Sequence, residues 1–316
     1  MATTVLGLKT FTASDPVDYN EVNDNYNKID NGVKTAFQGR AAHNWLDNSD
    51  FRIAQAGYGG MHGTQKYACD RWYDTNGYGS FSFDESQGLT IAYGTNHAYL
   101  VQKIDGASLL HGKSVTLAMQ LSDGTVYVKS GVFNSSGSSF QIVVDNGKTS
   151  TLYYDRVEFV VTSGSMTIKW AALYEGSYTA DTLPAYQPKG YAAELAECQR
   201  YFERLGVADS EILGTVAFAK SGAKSVIISM QYQPKRVGKP TLVFGDVSKY
   251  RLLFMDAVNA SVFSASAISS FDEISVQSPF ASFRVTIPNP LDRDCWVRLQ
   301  REDSSDGAYI DVNADL

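Results

Sequence analysis

Residues 114–133, "SVTLAMQLSDGTVYVKSGVF", contain the pattern that decides the fold. In the first eight residues, Val115, Leu117 and Met119 alternate with their neighbours, which places them on one face of a strand. Ser122 to Gly124 has the composition of a turn, and a second alternating stretch follows it. The segment therefore predicts two β-strands connected by a short turn.

The same strand signal recurs on both sides of this segment, from Asn44 to Pro188. About ten such stretches are separated by turns rich in Gly, Asn, Asp and Ser. They include "DFRIAQAG" at 50–57 and "MTIKWAAL" at 166–173, in which alternation places Met166, Ile168 and Trp170 on one core-facing side. Residues 42–188 are therefore predicted to form a two-sheet sandwich of jelly-roll type.

The stretch "PKGYAAELAECQRYFERLG" at 188–206 has a helical pattern instead. Its apolar residues form one stripe, Tyr191, Leu195, Cys198, Phe202 and Leu205, and Gly206 ends it. Residues 189–206 are predicted to be a linker helix, and the eight or nine strand signals of 207–316 a second, smaller sandwich. The expected class is mainly β, with two jelly-roll-like β-sandwich domains joined by an α-helix.

An N-terminal attachment and oligomerisation segment is predicted over residues 1–41. Apolar residues between Ser14 and Phe37 follow the a/d spacing of a short coiled coil, at Tyr19, Val22, Tyr26, Ile29 and Val33. A helix this short, and rich in Asn, is marginal alone in water. It therefore needs a partner, which is a copy of itself, another protein, or its own domain.

Composition excludes several classes of partner. The net charge of -7 comes with no basic cluster, so nucleic acid is not an expected partner. No signal peptide and no membrane-spanning segment is predicted, so synthesis and folding in a cytoplasm are expected. Cys69, Cys198 and Cys295 are too few and too dispersed for a disulfide framework and are expected to be buried.

The chain contains no recognisable catalytic motif, and no catalytic residue, metal site or cofactor is predicted. One stretch, residues 56–79, combines several aromatic rings with glycines and a pair of charges. Aromatic rings stack on sugars, and nearby charged groups bond sugar hydroxyls. The predicted glycan-binding residues are Tyr58, Tyr67, Asp70, Arg71, Trp72, Tyr73 and Tyr78, with a core position for Trp72 and a structural Asp70–Arg71 pair as the alternatives.

Four blocks of the sequence carry a family resemblance. They are "NWLDNSDFRIAQAG" (44–57), "ACDRWY" (68–73), "LVQKIDGASLLHGKSVTLAM" (100–119) and "AALYEGSYTADTLPAYQPKGYAAELAECQRYF" (171–202). Together they resemble the carbohydrate-binding-module-like β-sandwich of bacteriophage tail-fibre and baseplate receptor-binding proteins. Departures from the family pattern are Trp45 in place of a Leu, the inserted Cys69, and Phe202 in place of a Tyr.

The resemblance implies a component of the virion, in the phage tail, that assembles in the bacterial host cytoplasm. It implies a homotrimer that is attached to other tail or baseplate proteins by its amino end and binds a bacterial surface polysaccharide, without inserting into a membrane. It transfers no ligand and no binding residues. The alternatives are a structural spacer without sugar binding, a polysaccharide depolymerase, and a glycan-binding module of bacterial rather than viral origin.

Overall fold

The computed structural model describes residues 18–38, 42–62, 65–206, 212–256, 262–301 and 309–314. Half of the protein (50%) is strand and 10% is helix, so the mainly β class is confirmed. The part of the predicted attachment segment before Asp18 lies outside the described residues. No described helix combines the length and the apolar character that crossing a membrane requires.

Helix α1 (Tyr19–Gln38) confirms the predicted N-terminal helix. Asp18 caps it, since its carboxylate accepts a hydrogen bond of 2.9 Å from the Asn20 amide. Lys28 and Asp24 form an i,i+4 ion pair of 2.6 Å on its surface. The helix therefore begins at a capped, sequence-defined position.

The strands described before residue 190 are mostly short and antiparallel. They are β1 (Met61–His62), β2 (Gln65–Cys69), β3 (Trp72–Asp74), β4 (Ser80–Asp84), β5 (Gly88–Ala92), β6 (Ala98–Lys103), β7 (Ser114–Leu121), β8 (Val126–Val132), β9 (Ser138–Asp145), β10 (Lys148–Tyr153), β11 (Arg156–Val161) and β12 (Ser165–Glu175), with a 3-10 turn at Ala107–Leu109. The segment at 50–57, predicted as a strand, is a loop. The positive φ of Phe51 (64°) is incompatible with a strand.

Helix α2 and ten more strands follow. They are α2 (Tyr191–Gln199), β13 (Phe202–Leu205), β14 (Ile212–Ala219), β15 (Ser225–Gln231), β16 (Thr241–Phe244), β17 (Tyr250–Asp256), β18 (Val262–Ala267), β19 (Ser270–Gln277), β20 (Phe280–Thr286), β21 (Cys295–Arg301) and β22 (Ile310–Asn313), with a 3-10 turn at Val247–Lys249. The prediction of a linker helix over 189–206 is wrong at its C-terminal end, because α2 stops at Gln199 and Phe202 and Leu205 belong to a strand.

The pairing of β13 with β22 explains where the helix stops. Phe202 lies opposite Asn313, and Leu205 lies opposite Ile310. On the same strand, the buried Glu203 accepts a hydrogen bond of 2.7 Å from Lys235. These long-range contacts override the local helical pattern of the sequence.

The chain divides into two compact units, and the division differs from the predicted boundary at 188. The first unit contains the residues up to Asp50 and Phe83–Lys189, whereas Phe51–Ser82 joins Gly190–Leu316 in the second. Contacts within the second unit explain this grouping. The Gln55 side chain donates a hydrogen bond of 2.8 Å to the Phe202 carbonyl, and the Arg71 guanidinium lies 3.4 Å from the centre of the Tyr201 ring.

The first unit contains the neighbouring strands β5-β12-β7-β8 of one sheet and β6-β11-β10-β9 of another. Val115, Leu117, Met119, Met166 and Ile168 are buried, as their alternation predicts. A sixth residue predicted for this side, Trp170, lies elsewhere, because a bulge between Ile168 and Trp170 shifts the register. Trp170 instead stacks on Tyr186 at 4.8 Å and donates to Gln120 at 2.9 Å.

The second unit contains the strands β1-β2-β3 and three further sheets in the orders β13-β22-β16, β14-β21-β17-β18 and β15-β20-β19. These three sheets contribute to one apolar core, in which Tyr250, Phe283 and Leu299 are fully buried. The other faces of these sheets point away from this core.

Candidate functional site

The predicted glycan-binding residues lie in the second unit, around strands β2 and β3. Trp72 has no exposed surface and packs against Phe51, with 5.2 Å between the ring centres. Asp70 accepts hydrogen bonds from the backbone amide of Gln55 at 2.9 Å and from its side chain at 2.5 Å. Arg71 lies under Tyr201. The charged pair therefore anchors a loop and an aromatic ring rather than facing solvent.

Burial removes four of the seven candidates from direct sugar contact. Tyr67, Asp70, Arg71 and Trp72 each have at most 6% of their surface exposed. A ring stacks on a sugar only when one of its faces is open to solvent, and a buried carboxylate with its partners in place does not offer an oxygen to a hydroxyl. The prediction of a glycan site at these four residues is corrected: they are structural.

The other three candidates differ in exposure. Tyr58 is half-buried and donates a hydrogen bond of 3.1 Å to the Phe51 carbonyl. Tyr73 is half-buried, with its ring 5.7 Å from that of Tyr67. Tyr78 is 48% exposed. Only Tyr78 of the set presents a largely open ring.

A buried polar cluster lies next to the four buried candidates. His62 is stacked between the rings of Tyr67 at 3.9 Å and Phe202 at 3.5 Å. Arg204 makes two hydrogen bonds to Asp311, Nε to Oδ1 at 2.7 Å and Nη2 to Oδ2 at 2.8 Å. All of these side chains already have protein partners, so the cluster stabilises the junction of β1, β13 and β22.

The Arg204–Asp311 pair shows opposing electrostatic effects. Burial raises the pKa of the Asp311 carboxyl above its usual range, although the Arg204 guanidinium acts to lower it. Burial also acts to lower the pKa of Arg204, but the hydrogen bonds and charge of Asp311 raise it overall. Desolvation therefore cancels much of the attraction between the two charges.

Cys69, Cys198 and Cys295 are buried, as predicted, and form no disulfide among the described residues; burial raises the pKa of the Cys295 thiol. Within either unit taken alone, the described His, Cys, Asp and Glu residues do not bring three potential metal-binding atoms together.

A groove of about 590 Å³ in the first unit lies between β8 and the loop at 177–180. Its lining combines apolar and hydroxyl side chains, including Val126, Tyr178 and Ser130. The Ser130 hydroxyl already bonds Thr116 at 2.8 Å and the Tyr178 carbonyl at 2.8 Å. The groove therefore has space for a small ligand, but this hydroxyl is committed to the fold.

Comparison with known proteins identifies no family. No protein-family model and no curated protein matches the chain. Among solved structures, two variants of Bacillus subtilis oxalate decarboxylase OxdC share 8% identical residues with it, over 83% of this chain and 79% of theirs, with TM-scores of 0.11 and 0.10. At these values the similarity does not define a shared fold.

Proposed function

We propose that this protein is a phage tail-fibre or baseplate protein that binds a bacterial cell-surface glycan during host adsorption. The observation that carries the proposal is the exposed apolar seam of α1, which precedes two β-rich units. Four sequence blocks resemble receptor-binding tail proteins, and this resemblance supports placing the seam in a phage tail protein. In this proposal the protein is not an enzyme, and it acts in the virion.

The seam is exposed in the single chain. Tyr19, Tyr26 and Ile29 are 79%, 67% and 41% exposed, and Val22 is half-buried. Val33 lies in α1, outside the part of the helix whose side chains are described. A helix of 20 residues spans about 30 Å, and an a/d seam of this length is covered most simply by copies of the same helix. We infer a homotrimer, with the residues before the helix attached to other tail or baseplate proteins.

The β units would then act as repeated binding modules. We propose that both are jelly-roll-like sandwiches and that α2 connects them. A shallow sugar site that binds in the millimolar range contributes only about 4 kcal/mol. Linking several such sites raises the apparent affinity by roughly 10² to 10⁴ without any new contact. Assembly through α1 would therefore convert weak individual sites into useful attachment.

A structural tail or baseplate spacer without sugar binding is the second candidate. The burial of Tyr67, Asp70, Arg71 and Trp72 favours it, because the most aromatic stretch of the sequence is used for packing. The two candidates differ in one property, since an adhesion protein is retained by host cells and a spacer is not.

Light scattering on the intact chain tests the assembly that both candidates share. We expect three times the monomer mass of 34.6 kDa, and a clean monomer at micromolar concentration would refute the seam as an oligomerisation surface. Tyr26→Asp with Ile29→Asp should weaken assembly while the far-ultraviolet β signal is unchanged. Asn20→Asp with Asn27→Asp adds the same charge to exposed positions outside the seam and is the matched control.

The same material separates adhesion from depolymerisation. Retention of the full chain by host cells supports adhesion, and its absence supports a spacer. A loss of polysaccharide chain length on incubation would replace both with a depolymerase.

A further inference from the structure

The sheet β14-β21-β17-β18 in the second unit has one face in the core and one face pointing outward. Cys295, Val297 and Leu299 on β21 belong to the buried core. Because side chains alternate along a strand, Trp296 and Arg298 lie on the outward face. This surface, the outer β21 face, is defined by Phe218, Trp296, Arg298 and Gln300.

Two aromatic rings form the centre of the outer β21 face. Phe218 lies opposite Trp296 in the ladder between β14 and β21. Their ring centres are 5.1 Å apart at an interplanar angle of 72°, and the residues are 46% and 39% exposed. The edge-to-face contact holds each ring in place. The pair is a preorganised aromatic surface, in contrast to the buried Trp72.

Two polar atoms without a hydrogen-bond partner among the described residues lie along the same face of β21. The Arg298 Nε is buried and has no hydrogen-bond partner among the described residues, and Arg298 forms no ion pair with any of them. Gln300, which is 7% exposed, has a side-chain oxygen that is also unpartnered within the described part of the chain. Trp296 and Arg298 are two positions apart on one strand face, which is about 7 Å.

A second cation, Lys220, lies beside the Phe218–Trp296 ring pair. Its ammonium lies 5.3 Å from the centre of the Phe218 ring and 2.8 Å from an Asp294 oxygen. The charge of Lys220 is therefore already matched by a carboxylate. Arg298 is the cation of this face that has no such match among the described residues.

This combination fits one class of ligand. An open indole face stacks on the apolar C–H face of a pyranose ring, and a guanidinium binds a carboxylate or phosphate through two parallel hydrogen bonds. We propose that the outer β21 face binds an acidic glycan, with a sugar ring on Trp296 and its anionic group on Arg298. The inference rests on the proposed glycan-binding function and locates it at residues that the sequence did not indicate.

Retention of the full chain on three immobilised polymers tests the inference. Polygalacturonate supplies carboxylates, poly(glycerol phosphate) supplies phosphates, and dextran is neutral. We expect retention on one of the two acidic polymers, weakening with added salt, and at least tenfold weaker retention for Trp296→Ala and Arg298→Gln. Trp296→Phe should recover part of the loss, and Ile227→Ala, an exposed residue (53%) on another sheet of the same unit, should behave as the wild type.

Each other outcome overturns the inference. Unchanged retention of a folded Trp296→Ala variant, or preference for dextran, would exclude the outer β21 face as an acidic-glycan site. A change of oligomeric mass in that variant would show that a second copy covers the face, which also includes the exposed Ile212 and Val262. If host cells retain the chain but neither acidic polymer does, this inference fails and the proposed function stands. If neither host cells nor the acidic polymers retain the chain, both this inference and the proposed function fail.

Discussion

Removing the Asp311 carboxylate provides a quantitative test of the long-range pairing that ends α2. Asp311 on β22 is 1% exposed and lies opposite Arg204 on β13 in the ladder, where two hydrogen bonds of 2.7 and 2.8 Å connect them. Asp311→Ala leaves the Arg204 guanidinium largely buried without its counter-charge. Breaking a buried pair in this way costs about 3–5 kcal/mol, and we expect a loss in that range.

A double variant separates the cost of an orphaned charge from the net contribution of the pair. Burial raises the pKa of Asp311 even though Arg204 is adjacent, so the pair gains little over its desolvation. Arg204→Met with Asp311→Leu should therefore lie within about 1 kcal/mol of the wild type, because an apolar replacement removes both charges together. The Arg204 side chain is 13% exposed, which puts the expected loss in the single variant toward the lower end of its range.

Urea unfolding followed by far-ultraviolet circular dichroism measures both variants. Asp292→Ala, which removes a 75% exposed carboxylate from the same unit, is the matched control and should leave the midpoint unchanged. If Asp311→Ala lowers the free energy of unfolding by less than about 1 kcal/mol, the β13–β22 pairing is refuted. Residues 202–205 would then be assigned to the helix, as their sequence pattern predicts.

Three further variants test other parts of the structure. Trp72→Ala should lower the free energy of unfolding in urea by about 3–5 kcal/mol, as expected for a fully buried ring. Tyr78→Ala, which removes an exposed ring, should lower it little. Similar losses in the two variants would contradict the buried position of Trp72. Burial raises the pKa of Tyr174 to about 12, so its contribution to stability is complete below pH 10 and is lost as the pH rises through 12. Tyr174→Phe should therefore reduce the stability lost between pH 9 and 11 by roughly 1 kcal/mol, and an unchanged pH dependence would count against this burial. Gly88 has a φ of 99°, and a Cβ there would lie 2.1 Å from the Ile168 carbonyl oxygen. Gly88→Ala should therefore lower the free energy of unfolding by roughly 1–3 kcal/mol, whereas Gly238→Ala, in open space, should not change it. Equal urea midpoints for the two variants would disprove the close approach of β5 and β12.

Alternation along the chain was sufficient to predict the mainly β class and the burial of Val115, Leu117 and Met119 in β7. It failed where a residue's position depends on distant parts of the chain. A bulge in β12 turns Trp170 away from the side that Met166 and Ile168 occupy, and a bulge has no period-2 signature. Residues 202–205 have a helical pattern locally, yet they pair with a strand more than 100 positions later.

The candidate site was harder to predict than the fold, because exposure is a tertiary property. Trp72 and Trp296 both occur in short strands next to an arginine or near one, and composition alone does not distinguish them. The structure separates them, since Trp72 is fully buried and Trp296 is 39% exposed. A usable signal existed in β21, where Cys295, Val297 and Leu299 alternate with Trp296 and Arg298 and so indicate an outward side that carries an aromatic ring and a cation.

Retention by host cells of the assembled chain and of its dissociated form tests the central claim most directly, because multivalency is what makes the proposed sites effective. At equal subunit concentration, the wild type should be retained at least a hundredfold more strongly than Tyr26→Asp with Ile29→Asp, and the Asn20→Asp with Asn27→Asp control should match the wild type. Equal retention of the dissociated and assembled forms, or no retention of either, would contradict attachment through weak sites multiplied by α1.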